Sequence, residues 1–219
     1  MTRIVLLGRQ GSGKGTQGRL LARRHGWTHL SLGDELRRAV REGSPTGARV
    51  ESFLVTGELV PDDLALAVVR AAIGRPGVGG GCVLDGYPRT VRQAELLADL
   101  PEGDVDVAVN LAVAPDVVLR RIAARRVCFL CDAVVSVLDG TGSGLCARCG
   151  GPLVRRADDE PAVVRRRLAR HEETARPLLD WYTDRGRLVT VDGHGAPDAV
   201  ADHLDHALST WATDTSMAS

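Results

Sequence analysis

Apolar positions along the chain fall in short bursts separated by segments with helical spacing. Arg3 to Leu7 form the first burst, ending at Gly8. Gln17 to His25 then set Leu20, Leu21 and Ala22 among arginines, so strand, glycine loop and helix follow in order. Bursts recur at Cys82 to Leu84, Val105 to Leu111 and Leu188 to Val191. Each precedes a helix-like segment, at Val91 to Leu100, Asp116 to Arg126 and Pro197 to Trp211. Such alternation predicts an α/β protein whose parallel sheet is covered on both faces. Ala114-Pro115-Asp116 reads as a helix start with proline in the first turn.

Two stretches interrupt the alternation. From Gly33 to Gly74 the spacing is helical, broken at Gly43-Ser44-Pro45, Gly57 and Pro61-Asp62, which predicts several short helices inserted between strands. From about Val127 to Val154 the chain is rich in Gly and Cys and has no helical period. Both inserts adjoin loops at strand ends, where ligands of such sheets bind. Glu160 to Arg185 then reads as one long helix bent near Pro177, and Ala212 to Ser219 as a frayed tail.

Composition narrows the class. The 219 residues are 44% hydrophobic and 3% aromatic, with 28 basic residues against 28 acidic, which excludes a disordered or acidic tail protein. The neutral balance also argues against a dedicated nucleic-acid binder. No apolar stretch approaches the ~20 residues that span a bilayer. The apolar run before Gly8 is too short for a secretory signal, so a cytoplasmic protein with no membrane partner is expected. Lys14 is the only lysine among the 28 basic residues, and it sits in a glycine-rich turn.

That turn, Gly8-Arg9-Gln10-Gly11-Ser12-Gly13-Lys14-Gly15-Thr16, has the phosphate-loop spacing and lies between a strand and a helix. Glycines let successive amides converge on phosphate oxygens at a helix N-terminus, and a lysine adds a mobile positive charge. An ordinary strand-to-helix turn needs neither. Gly15 stands where the general motif carries Ser or Thr, and the hydroxyl comes one later at Thr16, which argues against direct metal ligation by it. At the end of the third strand, Val83-Leu84-Asp85-Gly86-Tyr87-Pro88-Arg89-Thr90-Val91-Arg92-Gln93-Ala94 places a carboxylate suited to hold the magnesium of a nucleotide, directly or through water. Arg89 adds a fork for phosphate, and Gln93 an amide able to pair with a base edge.

Cys128-Phe129-Leu130-Cys131 and Cys146-Ala147-Arg148-Cys149 are two CxxC pairs with 14 residues between them. Four thiolates so spaced suit a tetrahedral zinc site with Zn–S bonds of about 2.3 Å and no open position, which makes it structural. Disulfides and unpaired core cysteines are the alternatives, disfavoured by a reducing cytosol and by the spacing. Cys82, inside a strand, reads as a small buried hydrophobe. Arginines bracket the cysteine-rich stretch from Arg120 to Arg126 and from Arg155 to Arg170; most such runs are solvated helix faces. The 6 histidines show no partner pattern and receive no role.

Five stretches carry a resemblance. Gly8 to Thr16, Leu30-Ser31-Leu32-Gly33-Asp34-Glu35-Leu36-Arg37, Gly57-Glu58-Leu59-Val60, Asp85 to Ala94, and Arg156-Ala157-Asp158-Asp159 through Arg165-Arg166-Arg167-Leu168 resemble adenylate kinases of the zinc-lid type, within the nucleoside monophosphate kinases. They occur in the family's order, and the resemblance extends through Val191-Asp192-Gly193. It implies a doubly wound, five-stranded parallel sheet of P-loop kinase type flanked by helices. The core would comprise residues 1–30, 61–124 and 160–219, with a helical NMP-binding insert at 31–60 and a zinc-binding lid at 125–159. The implied activity is reversible, magnesium-dependent transfer of a phosphoryl group from ATP to AMP, giving two ADP, by a monomer.

The resemblance also implies roles. Gly11, Ser12, Gly13, Lys14, Gly15 and Thr16 match the ATP phosphate cradle, and Arg121 the arginine on ATP's adenine, with Val134, Val135 and Gly195 as further ATP contacts. Arg37 and Arg89 match the clamps on the AMP phosphate. Leu32, Glu58, Leu59, Val60, Gly86, Tyr87 and Pro88 match the wall around AMP, and Gln93 the adenine reader. Arg125, Arg156 and Arg167 are similar to arginines that close over the phosphates, so the implied catalytic set is Lys14, Asp85, Arg89, Arg125, Arg156 and Arg167. Three departures stand out: Gln10 where the family usually has Pro, Leu32 where a Thr lines the monophosphate base pocket, and Val135-Ser136 where Tyr-His is frequent. Because Leu32 cannot hydrogen-bond a base, a kinase for another nucleoside monophosphate is the nearest alternative. A zinc-ribbon nucleic-acid-binding module on a degenerate P-loop domain is the alternative from another class. Zero net charge and scarce aromatics count against it.

Overall fold

The computed structural model describes residues 2–75, 78, 80–101, 105–137, 144–156 and 159–217. Its centre is a five-stranded parallel sheet with the spatial order β2 (Thr28–Ser31), β3 (Gly81–Asp85), β1 (Thr2–Leu7), β4 (Val107–Ala112) and β8 (Leu188–Asp192). The middle strand pairs Ile4 with Val83 on one side and with Val107 on the other. Its side chains alternate between two cores, as strand geometry requires. Ile4 and Leu6 join Leu21 of α1 (Lys14–His25) and Val200 and Leu204 of α8 (Pro197–Met217). Val5 and Leu7 face the opposite way, into a core with α4 (Asp62–Ile73), α5 (Val91–Ala98) and α7 (Pro161–Thr183), through Leu64, Leu97 and Leu178. Because both faces are covered, the inner strands read as unbroken apolar runs.

The edge strand β2 has no such run. Only Leu30 of its four residues is buried, so its apolar signal is one residue long. The helix expected through Arg126 is instead α6 (Pro115–Ala124). Arg125 and Arg126 turn into β5 (Arg125–Cys128), which pairs antiparallel with β6 (Val134–Ser136) and β7 (Leu153–Val154). The cysteine-rich insert is therefore a small sheet rather than irregular chain. Pro177 lies inside α7 without ending it. The expected fraying from Ala212 is corrected: α8 runs on to Met217. The Trp211 indole donates to Gly186 O at 3.0 Å, and the Thr213 and Thr215 hydroxyls donate to the carbonyls of Ser209 and Trp211 at 3.0 and 2.8 Å. Among the described residues no helix is long and apolar enough to cross a membrane.

The helical insert opens with α2 (Leu32–Arg41) and α3 (Pro45–Thr56), started by Ser31 and Ser44, whose hydroxyls accept from the amides of Asp34 and Gly47. The two helices meet at Gly47, where an added Cβ would come within 2.1 Å of Ala39 O and 2.8 Å of Val40 Cα. These are backbone atoms, so no rotamer change relieves the clash. Gly47→Ala should therefore destabilise the protein by about 1–3 kcal/mol, read as a lower melting temperature. An unchanged melting point would show that the helices can part freely.

Candidate functional site

The site is built where β1 feeds α1. Gly8 has φ 129°, and a Cβ there would lie 2.7 Å from Leu111 O, so only glycine lets the loop lie against β4. Gly13 starts α1 in the left-handed conformation, and no side chain caps the helix, which leaves its first amides open to a ligand. Ser12 Oγ is buried without a hydrogen-bond partner, as a loop that cradles a polar ligand would have it. The Lys14 ammonium folds back over this loop and donates to Gly8 O at 2.6 Å and Arg9 O at 2.8 Å.

Burial pushes Lys14 down to about 8. Asp85 opposes that shift, while Arg89 and Arg125 add to it. Burial alone would raise the Asp85 carboxyl, but the His29 ring and the Lys14 charge outweigh it and hold Asp85 below the usual range. His29 Nε2 lies 3.7 Å from Asp85 Oδ2. An ionised carboxylate at the strand end, facing the phosphate loop, fits a magnesium–nucleotide complex.

A cleft of about 630 Å³ opens over the loop. Its lining takes in Gly11 to Thr16, Asp85, Gly86, Pro88, Val134, Val135 and Gly195. It also takes in the guanidinium-bearing residues Arg37, Arg89, Arg121, Arg125, Arg156 and Arg167. A second cavity of about 50 Å³ is lined by Leu32, Glu58, Val60 and Gln93. The two cavities share Gly33, Arg37, Leu59, Arg89 and Arg167, so three arginines stand on their border. Tyr87 lines neither. Its side chain is buried in the core, and its hydroxyl donates to Gln93 O at 3.2 Å.

Each arginine is held by a specific partner. Arg125 forms a two-pronged pair with the fully buried Asp159, with Nε donating to Oδ2 at 2.8 Å. Arg121 bridges Ser12 O at 3.2 Å and Gly193 O at 3.0 Å, tying the phosphate loop to the loop after β8. Asp34 lies between Arg37, at 2.5 Å, and Arg156, at 3.7 Å. Arg89 Nε donates to Gly86 O at 2.8 Å. Arg167 reaches Leu54 O at 3.4 Å, and Arg41 of α2 pairs with Asp132 at 3.0 Å, so the two inserts meet across the cleft. The Gln93 amide accepts from the Arg89 N–H and donates to Asp62 Oδ1, both at 2.8 Å, which leaves one of its N–H groups for a base.

In the smaller sheet the four sulfurs of Cys128, Cys131, Cys146 and Cys149 lie within 4.8 Å of one another and could hold a metal ion. Cys128 and Cys149 are 3.4 Å apart and Cys131 and Cys146 3.7 Å, and none is in a disulfide. A tetrahedral ZnS₄ site with bonds of about 2.3 Å needs S···S near 3.8 Å, so the donor set fits. Phe129, Leu130 and Leu145 point outward at 71, 67 and 55% exposure, so they build no core around the cluster. Cys82 is fully buried, and burial pushes its thiol up to about 11, which keeps it an inert hydrophobe.

Sequence reasoning assigned no role to Asp159, Arg9 or His171. Asp159 anchors Arg125 and accepts from Gln10 Nε2 at 3.3 Å. Arg9 pairs with Glu172 at 2.7 Å, and His171 lines the main cleft. Only the spacing of His171 four residues after Arg167 on one helix could have signalled it. Ala157 and Asp158 lie outside the described residues.

A family model described as Adenylate kinase matches residues 6–187. The protein named Adenylate kinase of Moorella thermoacetica is 39% identical over 211 residues, covering 94% of this chain and 97% of its own length. Its namesake from Bacillus subtilis is 37% identical over 208 residues, covering 92 and 96%. That of Methanothrix thermoacetophila is 37% identical over 213 residues, covering 95 and 99%.

Proposed function

The chain belongs to the adenylate kinase family, and on that premise we propose that it transfers a phosphoryl group reversibly from ATP to AMP, giving two ADP, as a cytoplasmic monomer. The carrying observation is the pair of adjoining cavities with Arg37, Arg89 and Arg167 on their border. A donor's terminal phosphate on the glycine loop and an acceptor's phosphate in the smaller cavity would meet at those guanidinium groups. Phosphoryl transfer needs positioning and positive charge spread over the moving oxygens, not a covalent nucleophile. Lys14 and Gly11 to Thr16 hold the ATP phosphates, Arg37 and Arg89 hold the AMP phosphate, and Arg125, Arg156 and Arg167 close over the reacting group. Asp85 would hold magnesium, which supplies charge neutralisation on the nucleotide.

Arg121, Val134, Val135 and Gly195 receive the ATP base. Leu32, Glu58, Leu59, Val60, Gly86 and Pro88 wall the AMP side, and Gln93 reads its base with the remaining N–H. Tyr87 supports Gln93 from below. In this reading residues 1–30, 61–124 and 160–219 are the core, 31–60 the NMP-binding insert and 125–159 the lid. Cys128, Cys131, Cys146 and Cys149 would hold zinc, which fixes the lid's shape; a reducing cytosol keeps their thiols available.

A second reading, a kinase for a different monophosphate, is favoured by one observation: Leu32 puts an apolar side chain in the acceptor cavity. Nucleotide diphosphate formation from ATP with AMP, GMP, CMP or UMP separates the two. AMP should be the best acceptor, with no ADP formed when it is omitted. Faster turnover of another monophosphate would select the second reading, and no transfer to any of the four would overturn both.

A further inference from the structure

His171 belongs to the cleft but to none of the roles above. On α7 it follows Arg167 by four residues and so shares its face, and both line the main cleft with Lys14. It shares the cleft with Lys14 from α1 and Arg89 from the loop after β3, and it feels their charges together with that of Arg9 from the phosphate loop. Glu172, next on the same helix, is itself held by Arg9 at 2.7 Å. The charged lining of the cleft also includes the carboxylates Asp34 and Asp85 and the guanidinium groups of Arg19, Arg37, Arg121, Arg125, Arg156, Arg167 and Arg170.

We infer that His171 is a phosphate-facing group of this cleft, which takes up a proton from solvent as a polyphosphate binds and becomes a further hydrogen-bond donor to it. The inference rests on the phosphoryl-transfer reading above. Its physical basis is a reversal of the local field. Without an anion, burial and the Lys14 charge, joined by Arg9 and Arg89 and opposed by Glu172, hold the imidazole at about 4. The ring is then neutral at physiological pH. A polyphosphate laid among the same cations brings several negative charges beside the ring, and a nearby opposite charge favours the protonated form. An imidazole placed here can therefore stay uncharged in the open cleft, without adding to the repulsion among its cations, and gain charge when the ligand needs it.

The probe is a dinucleotide of two adenosines joined by five phosphates, titrated into the full-length protein by calorimetry in two buffers of different ionisation enthalpy at pH 5.5. If binding returns His171 to the ordinary value of about 6.5, the wild type should take up about 0.9 proton more per ligand than His171→Gln. His171→Phe should match His171→Gln. In the wild type, the His171 ring resonance, identified by its loss in either variant, should titrate near pH 4 before ligand and above pH 6 in the complex. Equal proton uptake by wild type and variants with normal binding, or a resonance titrating near 6.5 in both states, would overturn the inference and leave the transfer reading standing. Failure of the wild type to bind the dinucleotide would overturn both.

Discussion

Replacing Lys14 with alanine should lower kcat by on the order of 10²–10³-fold while the protein melts no lower than wild type. The two halves of that expectation share one cause. Lys14 is the only lysine among the 28 Lys and Arg residues, and it is aimed at the loop by Gly8 O and Arg9 O. In the proposed reading a compact point charge there would meet the oxygens that carry charge in the transition state, and the arginines on the far side of the cleft would not take its place. The same burial that strengthens this charge opposes it in the folded protein. The gap between about 8 and the ordinary 10.5 corresponds to a cost of up to about 3 kcal/mol, which Lys14→Ala removes.

Because the folded value is the lower one, the cost is present in full below about pH 8. It falls away as pH rises towards 10.5, where the unfolded chain also loses the proton. Wild-type stability should therefore gain on Lys14→Ala across that window, and wild-type kcat/KM for ATP should decline above about pH 8. A variant with near-normal turnover would remove Lys14 from the mechanism. A variant that melts well below wild type would show the ammonium to be structural.

Removing the zinc proposed for the four cysteines should have the second large effect. Chelation should lower the melting temperature by roughly 10 °C, at about 2–4 °C per kcal/mol for a chain of this size, and abolish most of the transferase activity. Circular dichroism should still report the central sheet. Among its described residues the insert between Arg125 and Val154 buries only Val127, Cys128, Cys146 and Gly151, while Phe129 and Leu130 face outward. Three short strands with so small an interior need a covalent or coordinate tie to hold their shape. Cys128→Ser should reproduce the chelator's effect without it. One zinc per chain by metal analysis is expected; no zinc, together with a melting curve indifferent to chelation, would show that the sheet holds itself.

Legibility differed by kind of feature. Inner strands were plain in the chain because both of their faces are buried, so Ile4 to Leu7 and Val107 to Val109 are apolar at every position. β2 was not, because an edge strand with one buried side chain resembles a loop. β5 was hidden in the tail of a helical pattern, since Arg125 and Arg126 have no strand preference of their own and extend only because Val127 pairs with Val134 and Val154. The tail after Trp211 looked free because its anchor, the indole bond to Gly186, is made 25 residues away in sequence.

Features whose chemistry is local were legible in the chain alone: the glycine loop with its lone lysine, the two CxxC knuckles, and the carboxylate at the end of β3. In each, neighbours along the chain are also neighbours in space, so spacing alone encodes geometry. Which arginines face the cleft, and what holds them, follows from packing. Arg125 finds Asp159 across 34 residues, and Arg9 finds Glu172 across 163. Packing also decided that His171 shares a cavity with Lys14, and that Arg37, Arg89 and Arg167 border two cavities at once. A charged side chain reads the same in sequence whether it is solvated or buried against a partner. Only packing, which brings distant segments together and removes water between them, assigns it one fate or the other.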